Sequence, residues 1–492
     1  MEKPGQFLLI DIDGLRPDVF EKALKDEMIP NLAKLVGGKD LSQGLRLPAV
    51  APAPSITFAS QASLFTGTHP KDHGIPGNQF FDRFGTFNQG VPKHYAFDVG
   101  DTLSADDAVM VFTHGLASQC LRVPTIYEKF LEQGWKSVVA GNMYASGADV
   151  WIKPSLLDIA RFTKGSNLFG LSSEEYDREI VEETIAYIDK HGFPKLLTIY
   201  LMGVDHESHL HGPQAQLRHL TQVIDPMIGE LWQAVSQSLN GAKMPLVAIF
   251  SDHGQIQVIP DDKHSLRLAF PFEREMGHLF DALGLDVHDY PGEDPDCDAV
   301  VASNGGLAHV YLQNRTGHWK DVPDFERDVL PVARAFWEAH HTGNYASELK
   351  GALSGVLVRD VEAEGWHAKY QAATPGGELR SLEEWFSQGM GREYIDPVNR
   401  LNNLAGPMAG DLLLVSNYRD GYYFAQPIPG MHGGLHPDDS KSTFIFGWPD
   451  ATQDDWLKIK SKIEGAIQKR CRDEGERQPS TADLITGLTA VI

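Results

Sequence analysis

Short, wholly apolar runs alternate along this chain with longer stretches of helical spacing. The runs "FLLIDID" (7–13), "SVVAG" (137–141), "LLTIYLMGVD" (196–205), "PLVAIFSDHG" (245–254), "DLLLVSN" (411–417) and "STFIFGW" (442–448) carry apolar side chains on both faces. That pattern predicts strands buried between layers rather than half exposed. Between the runs, 18–36, 123–134, 174–191 and 214–239 repeat apolar residues at helical intervals, as crossover helices do. The order predicts an α/β fold with a mainly parallel central sheet covered by helices.

One region departs from this texture. From about 257 to 409 the sequence is turn-rich and acidic near "YPGEDPDCD" and rich in glycine and glutamate near "ATPGGELRSLEEW". It separates two groups of core-like strands and reads as an inserted cap subdomain. The expected organisation is a core formed by 1–256 and 410–492, with the insertion at 257–409.

Composition narrows the function. The chain has 492 residues, 42% of them hydrophobic and 22% charged, as in an ordinary globular protein able to bury a large core. Its 43 basic and 67 acidic residues give a net charge of -24, which opposes binding to a nucleic-acid polymer. A small phosphorylated substrate is compatible with that charge if bound cations neutralise the site locally. The three cysteines, Cys120, Cys297 and Cys471, form no C-x-x-C pair, so neither a disulfide framework nor a thiolate zinc site is expected. The apolar run near the N-terminus is too short for a signal peptide, and no apolar segment is long enough to span a bilayer. A soluble, cytoplasmic protein with no membrane partner is the expectation.

Functional groups in open parallel sheets collect at the carboxyl ends of strands. Here "LLIDIDG" ends in Asp13, "TIYLMGVD" in Asp205, and "VAIFSDHG" in Asp252 and His253. Asp205 and His209 are four apart and share one face of a helical turn, an oxygen and a nitrogen ligand suited to a divalent ion such as zinc. Each group also has an ordinary reading. Asp13 before glycine can make a turn, Asp252 can cap a helix beside an exposed His253, and His206 and His211 are bystanders by default.

The stretch "SITFASQASLFTGTHPKDHGIPGN" (55–78) has two readings of the same kind. A helix starting near Thr57 would present unpaired N–H groups and the positive end of its dipole to an anion, with the Thr57 hydroxyl beside it. Thr57 could equally be a plain N-cap.

Taken in order, "LLIDIDGLRPD", "PNLAKL", "TFASQASLFTGTHPKDHGIPGN", "VDHESHLHGP", "SDHG" and "GMHGGLHP" resemble the alkaline phosphatase superfamily. The branch they are most similar to is the type I phosphodiesterases, or nucleotide pyrophosphatases. The resemblance covers roughly 6–256 and 410–492. It implies a three-layer αβα sandwich and two divalent metal ions, zinc above all, with manganese or iron acceptable to the same ligands. Residue by residue, it implies that Thr57 is the nucleophile and that Asn78 binds a phosphoryl oxygen. Asp13, Asp252 and His253 would hold one metal, which the nucleophile also touches, and Asp205, His209 and His432 the other. His436 is the lesser match for the last ligand. Phe58 falls on a residue that stacks on a nucleobase in the family, although packing in the first helical turn accounts for it equally well.

The implied activity is hydrolysis of small, nucleotide-like phosphodiesters through a phosphothreonine. None of the cysteines lies in the C-x-P-x-R or C-x-A-x-R context of a sulfatase. Asn142, Met143 and Tyr144 stand where a cationic pair would serve a monoester, and Lys153 is the nearest basic residue. The glycines of "HGGLHP" are closer to phosphonoacetate hydrolases, so phosphonate hydrolysis is the runner-up and phosphomonoester hydrolysis third. A non-catalytic metal-bound scaffold is the reading from outside enzymology. Selectivity is expected in 257–409 and in loops near 80–120.

Overall fold

The computed structural model describes residues 3–98, 106–154, 172–266, 268, 275–288, 291–315 and 317–492. Residues 99–105, within the loops near 80–120, lie outside that set. Its central sheet runs in the order Gly44–Arg46, Phe444–Gly447, Leu246–Phe250, Phe7–Ile12, Leu196–Leu201, Ser137–Ala140, Val150–Ile152. The five strands from Leu246–Phe250 to Val150–Ile152 pair in parallel, and Phe444–Gly447 and Gly44–Arg46 close one edge antiparallel. Phe7–Ile12 is buried at every position, as expected of a strand covered on both faces.

The two faces have separate cores. Phe7 and Leu9 pack into the layer containing Phe58, Leu64, Phe65, Tyr127, Trp456 and Ile463. Leu8, Ile10 and Ile12 pack into the opposite layer, with Phe20, Leu32, Ile180, Val181 and Leu231. The period-two alternation of a strand thus sorts one apolar run into two helical layers. The result is the three-layer αβα sandwich that the resemblance implies.

The predicted helices form, with physical adjustments at their ends. The 18–36 segment breaks into Pro17–Lys25 and Pro30–Leu35, because Pro30 lacks the N–H that a continuing helix needs. Ser173–His191 opens on a capping box between Ser172 and Glu175, and Ile126–Leu131 on one between Thr125 and Glu128. The 214–239 segment passes through a π-helical stretch at Leu220–Ile224 before Asp225–Ser238, where Pro226 cannot donate to the ladder.

A second sheet follows the first. Its order is Val287–His288, Ala299–Asn304, Leu307–Leu312, Leu412–Ser416, Leu353–Arg359, Tyr370–Ala373, Leu379–Arg380. The strand predicted at 411–417 was grouped by its sequence with the central sheet. It lies instead in the middle of this second sheet, antiparallel to Leu307–Leu312 and Leu353–Arg359. Buried central strands of either sheet are apolar on both faces, so the run itself carries no label of which sheet it joins.

Candidate active site

Three strands of the central sheet deliver the site residues at their carboxyl ends. Asp13 follows Phe7–Ile12, Asp252 and His253 follow Leu246–Phe250, and the helix Gly203–His211, which begins just after Leu196–Leu201, carries Asp205 and His209 one turn apart. His432 comes from the chain leaving the short strand Gly430–Met431, and Thr57 opens the helix Thr57–Thr66.

These residues converge. His253 Nε2 is 3.5 Å from Asp13 Oδ1 and 3.3 Å from Asp252 Oδ2. His209 Nε2 is 3.1 Å from Asp205 Oδ2 and 3.2 Å from His432 Nε2, and His432 Nε2 is 3.7 Å from Asp205 Oδ1. The imidazoles of His253 and His432 stack with centroids 3.8 Å apart. Ligand atoms of Asp13, Asp252 and His253 lie within 4.8 Å of one another, as do those of Asp205, His253 and His432. Thr57 Oγ1 stands 3.2 Å from His253 Nε2.

The three imidazoles are aimed in one way. His209 Nδ1 faces the Gly430 carbonyl at 2.8 Å, His253 Nδ1 the Gly254 carbonyl at 2.9 Å, and His432 Nδ1 the Ser55 carbonyl at 3.1 Å. A carbonyl only accepts, so each neutral ring carries its proton on Nδ1 and leaves the Nε2 lone pair directed into the cluster. The carboxylates are fixed as well. Asp252 Oδ1 accepts the N–H groups of Gly14 and His253, Tyr200 donates its hydroxyl to Asp13, and Gln255 donates its amide to Asp205.

The donor set fits divalent cations. Asp13 Oδ1 and Asp252 Oδ2 are buried and have no hydrogen-bond partner among the described residues, a costly state unless a cation meets them. Burial, reinforced by Asp252 and Asp205, pushes the Asp13 carboxyl well above its usual range. Burial alone would lower His209, but the Asp205 carboxylate outweighs it and raises the imidazole to about 9. A cation held by Asp205 and His209 would compete with a proton for the His209 Nε2 lone pair.

Several expected residues sit otherwise than their ordinary readings. Ile56, not Thr57, is the N-cap, so the Thr57 hydroxyl is free to face His253. The N–H of Phe58 is taken by Asn78 Oδ1 at 2.9 Å, leaving that donor unavailable to an anion. Asn78 Nδ2 in turn lies 3.3 Å from Asp98 Oδ2. The Phe58 ring is buried and packs at 5.1 Å on Phe97, as its packing reading expects. His436 caps the turn Pro437–Ser440 and packs on Tyr418. Lys153 donates to the Thr113 carbonyl and lies over the Trp151 ring. Asn142 donates to Gln61 and, at 3.4 Å, to Asp11 beneath the site.

Tyr200, Gln255 and Asp98 were missed in the sequence. Gln255 directly follows "SDHG" and had a signal, a polar side chain just past a strand end. Tyr200 did not, since an aromatic residue inside an apolar strand reads as core.

An αβα sandwich with this cluster at the carboxyl ends of its strands defines a member of the alkaline phosphatase superfamily. Within it, the chain belongs to the Type I phosphodiesterase / nucleotide pyrophosphatase family, whose pattern matches residues 7–390. The match runs through most of the segment that the motifs left uncovered. An uncharacterized pyrophosphatase/phosphodiesterase of Schizosaccharomyces pombe is 27% identical over 252 residues, 50% of this chain and 44% of that protein. Ectonucleotide pyrophosphatase/phosphodiesterase family member 1 of Mus musculus is 26% identical over 265 residues, 52% of this chain and 25% of that protein. The chain thus matches less than half the length of either relative. Human ectonucleotide pyrophosphatase/phosphodiesterase 5 shares the fold with a TM-score of 0.53 at 14% identity, covering 90% of this chain and 88% of that one. An inactive form of its murine counterpart, in complex with AMP, superposes with a TM-score of 0.52 at 13% identity, covering 91% and 88%.

Proposed function

We propose that this protein is a two-metal phosphodiesterase that cleaves small, nucleotide-like diesters through a covalent phosphothreonine at Thr57. The observation that carries the reading is the set of three imidazoles whose Nδ1 atoms are tied to backbone carbonyls. Their Nε2 atoms meet three carboxylates beside a threonine hydroxyl. AMP in the murine neighbour and the family's name support a nucleotide-like substrate.

Asp13, Asp252 and His253 would hold one ion, and Asp205, His209 and His432 the other, with zinc suited to this mixture of oxygen and nitrogen donors. Such ions would favour the deprotonated Thr57 hydroxyl and neutralise charge developing on the phosphoryl oxygens. Thr57 Oγ1 attacks phosphorus, the bond to the departing alcohol breaks, and the phosphoryl group is carried on the threonine until water displaces it from the opposite side. Asn78 donates from Nδ2 to a non-bridging oxygen, its orientation set by the Phe58 N–H on one end and Asp98 on the other. The commitment of Lys153 to Thr113 and Trp151 supports a singly charged diester over a dianionic monoester. Cys120, Cys297 and Cys471 are all buried and unpaired, which supports placing the protein in the reducing cytoplasm. No helix of the described residues is long and apolar enough to cross a membrane.

The test is a pair of kcat/KM values for the zinc-loaded protein, on bis(p-nitrophenyl) phosphate and on p-nitrophenyl phosphate. A preference of about tenfold or more for the diester, about 1.4 kcal/mol, supports the reading. Preference for the monoester overturns it in favour of phosphomonoester or phosphonate hydrolysis, and zinc binding without turnover of either ester leaves the non-catalytic scaffold.

A further inference from the structure

The tip of one hairpin in the second sheet reaches both halves of the site. The strands Ala299–Asn304 and Leu307–Leu312 are joined by Gly305 and Gly306 alone. Asn304 is 1% exposed, and its amide brackets the backbone of Gln79, the residue after Asn78. Oδ1 accepts the Gln79 N–H at 3.1 Å, and Nδ2 donates to the Gln79 carbonyl at 3.0 Å and to the Ala302 carbonyl at 3.2 Å. One side chain thereby supplies both the acceptor and the donor that a neighbouring strand would offer.

The turn beside Asn304 seats on the other half. Gly306 donates its N–H to the His432 carbonyl at 3.1 Å. A Cβ on Gly305 would stand 1.9 Å from that carbonyl oxygen, one on Gly306 2.3 Å from the Gly434 Cα, and one on Gly433 2.1 Å from the Asn304 carbonyl oxygen. Glycine faces glycine because the two backbones touch. The spacing between the Asn78 and His432 backbones is therefore set by a single rigid two-residue turn.

We propose that Asn304 is a positioning residue for the phosphoryl-binding Asn78, holding it in register with His432 through its paired bonds to Gln79. The proposal rests on the reading of Asn78 given above. It assigns to the second sheet a part in the reaction, through side-chain bonds that Asn304 makes to backbone atoms.

The test is a double-mutant cycle with two readouts. Asn304→Ala, Asn78→Ala and the double variant are loaded with zinc, and each is assayed for kcat and KM on bis(p-nitrophenyl) phosphate and titrated with inorganic phosphate by calorimetry. Asn304→Ala is expected to retain the wild-type zinc content while kcat and phosphate affinity each fall about tenfold, the cost of a misplaced hydrogen-bond donor. In the Asn78→Ala background the same change is expected to cost nothing further, because the residue it positions is gone. Undiminished phosphate affinity in Asn304→Ala overturns the proposal, as does a loss that multiplies in the double variant. Asn304→Asp, whose carboxyl oxygen keeps the bond from the Gln79 N–H while the donor to the Gln79 carbonyl is lost, repeats the cycle if the alanine variant does not fold. Should the wild type leave the diester intact, the phosphodiesterase reading fails while the phosphate titration still decides the role of Asn304. A wild type that binds no phosphate removes Asn78 as a phosphoryl ligand, and the proposal falls with it.

Discussion

Thr57 Oγ1 and His253 Nε2 meet at 3.2 Å across 196 residues of sequence, and His253 is the one residue common to both groups of candidate ligands within 4.8 Å. The hydroxyl is therefore presented to the cluster at the point where its two parts join. Thr57→Ala is expected to bind as much zinc as the wild type while turnover falls at least about a thousandfold, since no other group replaces the nucleophile. Zinc stoichiometry by atomic absorption, alongside kcat on the diester, checks both halves. Full activity would remove Thr57 from the mechanism.

His209 and His432 contribute Nε2 atoms 3.2 Å apart to the part of the cluster around Asp205. Replacing either with alanine is expected to lower the zinc content by about one ion per chain, because three protein ligands are the usual minimum for a tight site. His436→Ala is expected to leave zinc content unchanged, since that ring caps Pro437–Ser440. The same metal analysis on the three variants distinguishes them.

Arg83 and Asp411 form a fully buried ion pair at 2.6 Å, with the guanidinium 4.9 Å from the Trp366 ring. Arg83→Met leaves the Asp411 carboxylate buried without its cation and is expected to destabilise the protein by about 3–5 kcal/mol. Arg83→Met combined with Asp411→Leu is expected to recover part of that loss. Urea unfolding of the two variants measures the difference.

His69 Nε2 lies 2.7 Å from Glu476 Oε1 and 3.7 Å from Glu474 Oε2. Burial alone would lower the imidazole, but the two glutamates outweigh it and raise its pKa above the ordinary value of 6.5. Burial would likewise raise Glu476, yet His69 and Arg470 hold it down at about 2. For His69, raised on folding, the stabilisation is complete below about pH 6.5 and disappears as the pH rises through its folded value. For Glu476, lowered on folding, it is complete above about pH 4.5 and disappears as the pH falls through about 2. The difference in melting temperature between wild type and His69→Gln is therefore expected to be largest between about pH 5 and 6 and to shrink as the pH rises through the raised folded value of His69. A gap that stays constant across that rise would rule out the charged pair.

Much of this architecture can be read in the sequence, and for a definite reason. Strands buried on both faces leave unbroken apolar runs, and a polar group at the end of such a run is conspicuous, as with Asp13, Asp205 and Asp252. Contacts made by backbone atoms leave no such trace. The carbonyls of Ser55, Gly254 and Gly430 that orient the imidazoles could belong to any residue type, and Asn304 before two glycines reads only as a turn. Phe58 shows the converse limit. An aromatic side chain beside the candidate nucleophile suits a stacking platform and a core equally, and its packing on Phe97 leaves no trace in the sequence.

The strand Leu412–Ser416 also bears on how this protein can be modified. It follows the 257–409 segment in the chain, yet it pairs on both sides with strands from within that segment. Deleting 257–409 would strip this strand of both neighbours and expose two rows of backbone groups with a ready appetite for other chains. A graft of a foreign cap has to carry its own replacement for Leu412–Ser416, and a protease cut between 409 and 412 would leave the pieces held together. A strand that sequence order places after the segment is, by pairing, a central member of the segment's own sheet.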